Sequence, residues 1–138
     1  MVGIGAGGKT CLLYRLVYNE LIATTTTISA NYEDITLPLY GQVVQFTIWD
    51  LSGTYGYRNL WHHCTEGVVG IICVVDSTEE SFVRETATSL WRMFEEYDTE
   101  KKESVLLVFA NKQDLAGALS IGEVRDLLEL ETRSEGRR

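Results

Sequence analysis

An α/β layered fold in three layers, with a mostly parallel sheet plus one antiparallel hairpin strand, is what this 138-residue sequence predicts. Three observations carry that expectation. The glycine-rich run Gly3-Ile4-Gly5-Ala6-Gly7-Gly8-Lys9-Thr10 leads straight into a helical pattern. Two nearly continuous apolar runs, residues 68–75 and 105–110, have the character of strands buried on both faces, as in parallel sheets. Between them apolar residues recur at helical spacing, so the two periods alternate along the chain.

Taken in order, Met1-Val2 are the last residues of a strand that feeds the glycine-rich run. Over residues 10–18, Leu12, Leu13, Leu16 and Val17 share one helical face. Ile35, Leu37 and Leu39 alternate as a strand, and Pro38, which has no N–H to donate, places that strand at a sheet edge. After a turn at Tyr40-Gly41, Val44, Phe46 and Ile48 alternate again, which makes the pair a hairpin. Val83, Ala87, Leu90, Phe94 and Tyr97 line one face of the next helix, with Ser77 and Glu80 spaced as a capping box at its start. Ser120 and Glu123 open another helix that turns Ile121, Val124 and Leu127 or Leu128 inward. The charged tail after Leu130 is expected to fray. Neither repeats, low-complexity tracts nor linkers interrupt this order, so residues 1–138 form a single domain.

Composition narrows the function. Apolar content of 45% is ordinary for a globular chain. The net charge of −8 argues against a protein that holds nucleic acid or an anionic membrane by charge. Cys11, Cys64 and Cys73 are odd in number and lack metal-ligand spacing. With Cys11 in an apolar helix and Cys73 in an apolar run, they suit reduced, buried thiols of a cytoplasmic protein. No apolar stretch is long enough to span a membrane. Val2 excludes N-myristoylation, and Glu135-Gly136-Arg137-Arg138 is no prenylation box. Recruitment to a membrane would therefore need a partner, or a segment that this sequence does not contain, rather than an intrinsic anchor within it.

The chemistry starts at residues 3–10, which fit Gly-x-x-x-x-Gly-Lys-[Ser/Thr]. Glycines let the backbone wrap an anion with its N–H groups turned inward. Gly3, Ile4, Gly5, Ala6, Gly7, Gly8, Lys9, Thr10 and the following Cys11 are the candidate phosphate-binding residues. Lys9 is placed to neutralise β- and γ-phosphates, and the Thr10 hydroxyl to ligate Mg²⁺ at a helix N-terminus. This is the pattern of a phosphate-loop nucleoside triphosphate-binding fold. Its alternative is a chance glycine-rich turn.

Asp50 follows the apolar strand that ends in Trp49, and Ser52-Gly53 come next. A carboxylate at a strand end can hold Mg²⁺ through a water, and the Gly53 N–H can reach a γ-phosphate. A solvated turn aspartate is the bland alternative, and the position after loop and hairpin favours the metal role. Thr24-Thr25-Thr26-Thr27 offers hydroxyls able to close over the metal, and chemistry alone does not choose among them.

Asn111-Lys112-Gln113-Asp114 directly follows the second buried strand, at the strand end where such sheets bind ligands. A carboxylate at Asp114 accepts from the N1–H and 2-amino group of guanine, donors that adenine lacks in that arrangement. Lys112 would lay its stem along the base, and the Asn111 amide would tie the loops together. A plain polar loop is the alternative. The His62-His63 tandem has no third metal ligand nearby, and the acidic run at residues 95–100 suits a solvated helix end.

These motifs, in this order, resemble the small GTPases of the Ras superfamily, most closely the Arf and Arf-like family, over nearly the whole chain. Residues 10–16, Leu60-Trp61-His62-His63, Val74-Val75-Asp76-Ser77 and residues 105–115 all resemble Arf-type sequence. Ser52-Gly53 and Tyr57-Arg58-Asn59-Leu60-Trp61 resemble the cilium-associated branch, whereas the phosphate loop is more similar to the Rho type. The resemblance implies a monomeric switch that binds GTP or GDP with Mg²⁺, hydrolyses GTP slowly and regulates vesicle or ciliary trafficking. It assigns Thr27 as the switch threonine, Thr10, Thr27 and Asp50 to the metal, and Lys9, Gly53 and position 54 to catalysis. Loops around Thr27 and residues 53–58 would order on the γ-phosphate and relax on its loss.

Four departures matter. Position 54 is Thr, where the family places the glutamine that orients the attacking water. Without it, hydrolysis loses much of an acceleration of roughly 10³–10⁵-fold, about 4–7 kcal/mol of barrier. Ala30 and Cys64 stand where Arf proteins carry aromatic effector-facing residues, leaving Trp49, so no effector, exchange factor or activating protein transfers from a relative. The hairpin is longer than in Arf proteins and closer to Rab length. Only Met1-Val2 remain of the family's first strand, and the last strand and last helix are missing, so truncation at both ends and marginal stability are expected. Two alternatives follow: a guanine-nucleotide- or partner-binding module without hydrolysis, and an ATP-dependent phosphate-loop kinase, against which residues 111–114 argue.

Overall fold

Met1 and Val2 hold the architecture together. The computed structural model describes residues 1–65, 67–96 and 104–135. Strands β1 (Ala30–Leu39) and β2 (Gln42–Leu51) form an antiparallel pair, and β3 (Gly70–Asp76) and β4 (Val105–Asn111) a parallel one. Val2 bridges to Cys73 in parallel, donating to Ile72 O at 2.8 Å and accepting from Val74 N at 2.9 Å. On the other side, the Met1 amino group donates to the Trp49 carbonyl, and Leu51 N donates to Met1 O at 3.0 Å. The two-residue stretch thus joins both strand pairs by backbone hydrogen bonds alone, as a strand feeding the glycine-rich run would.

The hairpin turn forms where the sequence places it. Tyr40 (φ 51°) and Gly41 (φ 77°) both adopt positive φ, and Leu39 pairs with Gln42, so the loop has the two residues that match strand twist. β1 pairs only with β2 among the described residues, which leaves Pro38 on an edge.

Helix α1 (Lys9–Tyr18) lies on one face of β3, where Leu13, Val74 and Met1 are buried with Ile48 and Ile72 packed on them. Leu12 and Val17 are half-buried there, while Leu16 is exposed. The opposite face of β3 presents Ile71, Cys73 and Val75 to α3 (Glu80–Glu96). There Val83, Ala87, Leu90 and Phe94 are buried, each burial of such a side chain being worth about 1.5–3 kcal/mol for the larger ones. Tyr97, expected to extend this face, lies outside the described residues, as do residues 98–100 of the acidic run. β3 is therefore covered on both sides by helices, giving the three layers.

Several local expectations are corrected. Among the described residues β4 is covered on one face only: Leu106, Val108 and Ala110 pack on the α3 core, while Val105, Leu107 and Phe109 are exposed. The cover supplied by α1 reaches β2 and β3 and stops short of β4. The Ser77–Glu80 capping box does not form. α3 starts at Glu80 itself, and the Ser77 hydroxyl accepts a hydrogen bond from Gln113 instead. In α4 (Ile121–Leu127) the capping box of Ser120 and Glu123 is complete, Val124 is buried, and Leu128 just beyond it as well. Ile121, however, is 72% exposed, although it lies one turn before Val124 on the same side of the helix. Of the segment expected to fray after Leu130, the part up to Glu135 forms α5 (Leu130–Glu135), where the Arg133 guanidinium lies 5.6 Å from the Trp91 ring centre; residues 136–138 lie outside the described residues. Cys73 is buried, but Cys11 is half-buried and Cys64 exposed. None of the described helices is long and apolar enough to cross a membrane.

Candidate functional site

The phosphate loop is shaped by close backbone contacts. Gly3 (φ 142°) lies so near β3 that a Cβ there would stand 2.0 Å from Val74 O. Gly8 (φ 92°) caps α1, and a Cβ on it would meet Asn111 Nδ2 at 2.5 Å. Only glycine satisfies both the left-handed backbone and the space. Gly5 and Ala6 are exposed at the outer rim of the loop, while Ile4 and Gly7 are buried. Cys11, one turn in, places Sγ 3.1 Å from Thr24 Oγ1.

Lys9 curls back over the loop it follows, donating from Nζ to Gly3 O at 2.9 Å. Its burial pulls the ammonium pKa below the ordinary lysine value, and the Asp50 carboxylate opposes that shift. The cation is thus held inside the loop, beside the amides that would wrap an anion.

Thr10, Thr27 and Asp50 come together although 40 residues separate the first from the last. The Thr10 hydroxyl donates to Asp50 Oδ2. Thr27 Oγ1 lies 3.0 Å from Thr10 Oγ1 and 3.3 Å from Asp50 Oδ2. Asp50 is fully buried, and its Oδ1 has no hydrogen-bond partner among the described residues. A buried carboxylate oxygen without a donor is costly unless something else meets it. Two hydroxyls and a carboxylate are the hard oxygen donors that Mg²⁺ takes, so the residues present fit that ion. No cluster of three His, Cys, Asp or Glu occurs among the described residues that would favour a softer metal. His62, in the 3₁₀ turn Trp61–Cys64, pairs with Glu96 at 3.1 Å rather than with a metal-type neighbour set.

Gly53 packs against the phosphate loop, where a Cβ on it would lie 2.2 Å from Gly3 O. Thr54 is exposed, with its Oγ1 accepting from Ser52 Oγ at 3.1 Å. The far side of the site is built by residues 111–114. Asn111 Nδ2 donates to Gly7 O at 2.7 Å, so the tetrapeptide and the phosphate loop are tied directly. Lys112 takes a left-handed conformation (φ 64°), and its Nζ pairs with Asp76 Oδ2 at the end of β3. Asp114 stands exposed at the rim with its carboxylate accessible.

Asp76, Trp61 and Arg58 are parts of this arrangement that motif reading did not single out as site residues. Burial raises the Asp76 pKa, but hydrogen bonds from Lys112 and Thr78 outweigh it and leave the carboxyl below its ordinary value. The signal for Asp76 was present: like Asp50, it is a carboxylate at the end of a buried apolar strand. The indole of Trp61 and the guanidinium of Arg58 reach the Ser52-Gly53 backbone, and nothing in their spacing foretells that.

A glycine-rich loop before a helix, a buried strand-end carboxylate between two threonines and a polar tetrapeptide clasping the loop define a protein of small-GTPase fold. A family model for the ADP-ribosylation factor family, Arf, matches residues 1–137, and the chain belongs to that family. Among solved structures it is similar to one described as the mammalian SRP receptor, with a TM-score of 0.83 and 28% identity. That match covers 96% of this chain and 71% of the other.

Proposed function

We propose that this chain binds GTP and GDP with Mg²⁺ as a two-state switch and hydrolyses GTP very slowly. The observation that carries the reading is Asp50 Oδ1, buried and without a partner among the described residues, beside two hydroxyls at the foot of a glycine-rich loop. The amides of residues 3–10 would wrap the phosphates, with Lys9 moving its ammonium from the Gly3 carbonyl to the β- and γ-oxygens. Thr10, Thr27 and, through water, Asp50 would hold the metal. What Mg²⁺ supplies when bound is neutralisation of charge on the phosphate oxygens. Asp114 would accept from guanine, Lys112 would flank the base, and Asn111 keeps base and phosphate loops in register.

Thr54 favours a second reading of the same site. Its hydroxyl is short and already engaged with Ser52, so it does not replace a side chain that orients water. A guanine-nucleotide-binding module with no useful turnover is the outcome if Gly53 and Lys9 act without help. By family resemblance the protein would act as a monomer in the cytoplasm, reaching vesicle or ciliary membranes through partners.

Binding of GDP, GTP, ADP and ATP, each with Mg²⁺ and with chelator, tests the reading. Guanine nucleotides should bind with a strong Mg²⁺ dependence that Thr10→Ala weakens. Indifference to GDP and GTP at millimolar levels, or preference for adenine nucleotides, would overturn it. Phosphate release over hours separates the switch from the module without turnover.

A further inference from the structure

We infer that Trp61 and Arg58 are positioning residues that fix the two peptide planes meeting at Gly53, Trp61 aiming the Gly53 N–H and Arg58 securing the plane that follows, and that this sets the preference for a triphosphate over a diphosphate. The inference rests on the guanine-nucleotide reading above. Gly53 lies between two peptide planes, and each carbonyl flanking it is gripped by a side-chain donor. The Trp61 indole, 1% exposed, donates from Nε1 to Ser52 O at 2.9 Å. Arg58 donates from Nε to Gly53 O at 2.7 Å. A trans peptide is planar, with C=O and N–H pointing in opposite directions. Holding the Ser52 carbonyl therefore aims the Gly53 N–H the other way. Holding the Gly53 carbonyl does the same for Thr54 N–H, which donates to Ser52 Oγ at 3.3 Å.

Gly53 has no room to escape this grip by sliding. Its Cα faces Gly3 O and Ile4 Cα, where an added Cβ would be 2.2 and 3.1 Å away. Its own N–H has no acceptor among the described residues. An aimed, unpaired amide against the phosphate loop is a preorganised donor, and preorganisation is where such a contact gains its strength. A diphosphate has no γ-group for that donor to meet.

The grip extends outward from the loop. The other end of the Arg58 guanidinium pairs with Glu85 on α3, and the Arg58 side chain is mostly shielded from water. Arg58 thus hangs the Gly53 carbonyl from a helix that is itself locked into the core by Val83 and Leu90. The competing account is that Trp61 and Arg58 merely stabilise the fold. The two accounts differ in which nucleotide notices their loss.

The test titrates the full 138-residue chain with GDP and with a non-hydrolysable GTP analogue in Mg²⁺ buffer. Trp61→Phe keeps a buried ring and removes the donor; Arg58→Gln removes the charge and shortens the reach. Each should weaken the analogue about tenfold, the scale of one hydrogen bond, while GDP shifts by less than about twofold. The two peptide planes meet at Gly53, so the double variant's loss should fall short of the sum of the single ones. Where Trp61→Phe fails to fold by circular dichroism, Glu85→Gln on the surface of α3 carries the test, with a loss of about threefold for the analogue alone. Parallel losses for both nucleotides, or none, would overturn the inference. Equal binding of the two by the parent chain would overturn it while leaving nucleotide binding intact. A parent chain that binds neither removes the underlying reading and this inference together.

Discussion

Asn111 Nδ2 donates to the Gly7 carbonyl at 2.7 Å, fastening the end of β4 to a loop 104 residues earlier in the chain. Replacing it with alanine leaves that carbonyl unpaired in a half-buried setting. Asn111→Ala should lower stability by about 1–2 kcal/mol and speed release of a fluorescent GDP several-fold, read by stopped flow. Unchanged release would show that the contact does not couple the two loops.

Gly8 and Gly41 both need positive φ, yet their surroundings differ. A Cβ at Gly8 would collide with Asn111 Nδ2 at 2.5 Å, whereas none of the atoms around Gly41 comes within 4 Å. Gly41→Ala should cost about 1 kcal/mol of unfolding free energy, from backbone strain alone. Gly8→Ala should cost about 2–3 kcal/mol, because strain and a displaced Asn111 amide add. Urea melts giving equal losses would contradict the geometry.

The ion pair of half-buried Lys112 with buried Asp76 makes stability depend on pH. Burial acts to raise the Asp76 pKa, but the bonds from Lys112 and Thr78 prevail and hold it below the ordinary 3.8. A carboxyl depressed in the folded state contributes stability that is present above its unfolded pKa and is lost as pH falls through the folded one. Unfolding free energy should therefore decline below about pH 4, and Asp76→Asn should flatten that part of the curve. An identical acid limb in the variant would assign the loss to other carboxylates.

The three thiols should label in an order set by access. Burial pushes the Cys73 thiol up to about 12, against the pull of nearby Lys9, so almost no thiolate forms near neutral pH. Cys64 is exposed and Cys11 half-buried. Maleimide followed by mass spectrometry should modify Cys64 first, Cys11 more slowly, and Cys73 only on unfolding. Early modification of Cys73 would indicate that the α3 core opens.

Thr54→Gln restores a side chain long enough to orient water. In single-turnover GTP hydrolysis the parent chain should be very slow, and the variant faster by at least about tenfold. A brisk parent rate that Thr54→Ala abolishes would instead give the threonine a catalytic part.

Features encoded locally were legible in the sequence. The phosphate loop, the Tyr40-Gly41 turn, the Ser120–Glu123 cap and the apolar face of α3 each depend on residues close together in the chain. Thr27 was singled out among four threonines by resemblance alone, and it does sit against Thr10 and Asp50. What escaped depends on tertiary neighbours. Whether Val105, Leu107 and Phe109 are covered is decided by how far α1 reaches, which no period reveals. Ser77 gave its hydroxyl to Gln113 because the end of β4 passes beside it. The indole of Trp61 looks like ordinary core until its N–H is seen on the Ser52 carbonyl.

The hairpin is held near Asp50 by Met1 and at mid-length by α1, where Ile35 is buried, and its ten-residue arms extend roughly 33 Å to a wholly solvent-facing Tyr40. Such a shape is a lever that pivots where α1 packs on it, with its inner end at Asp50. A partner gripping the far tip would gain mechanical advantage over the Asp50 carboxylate, drawing it away from Thr10 and Thr27 with a modest pull.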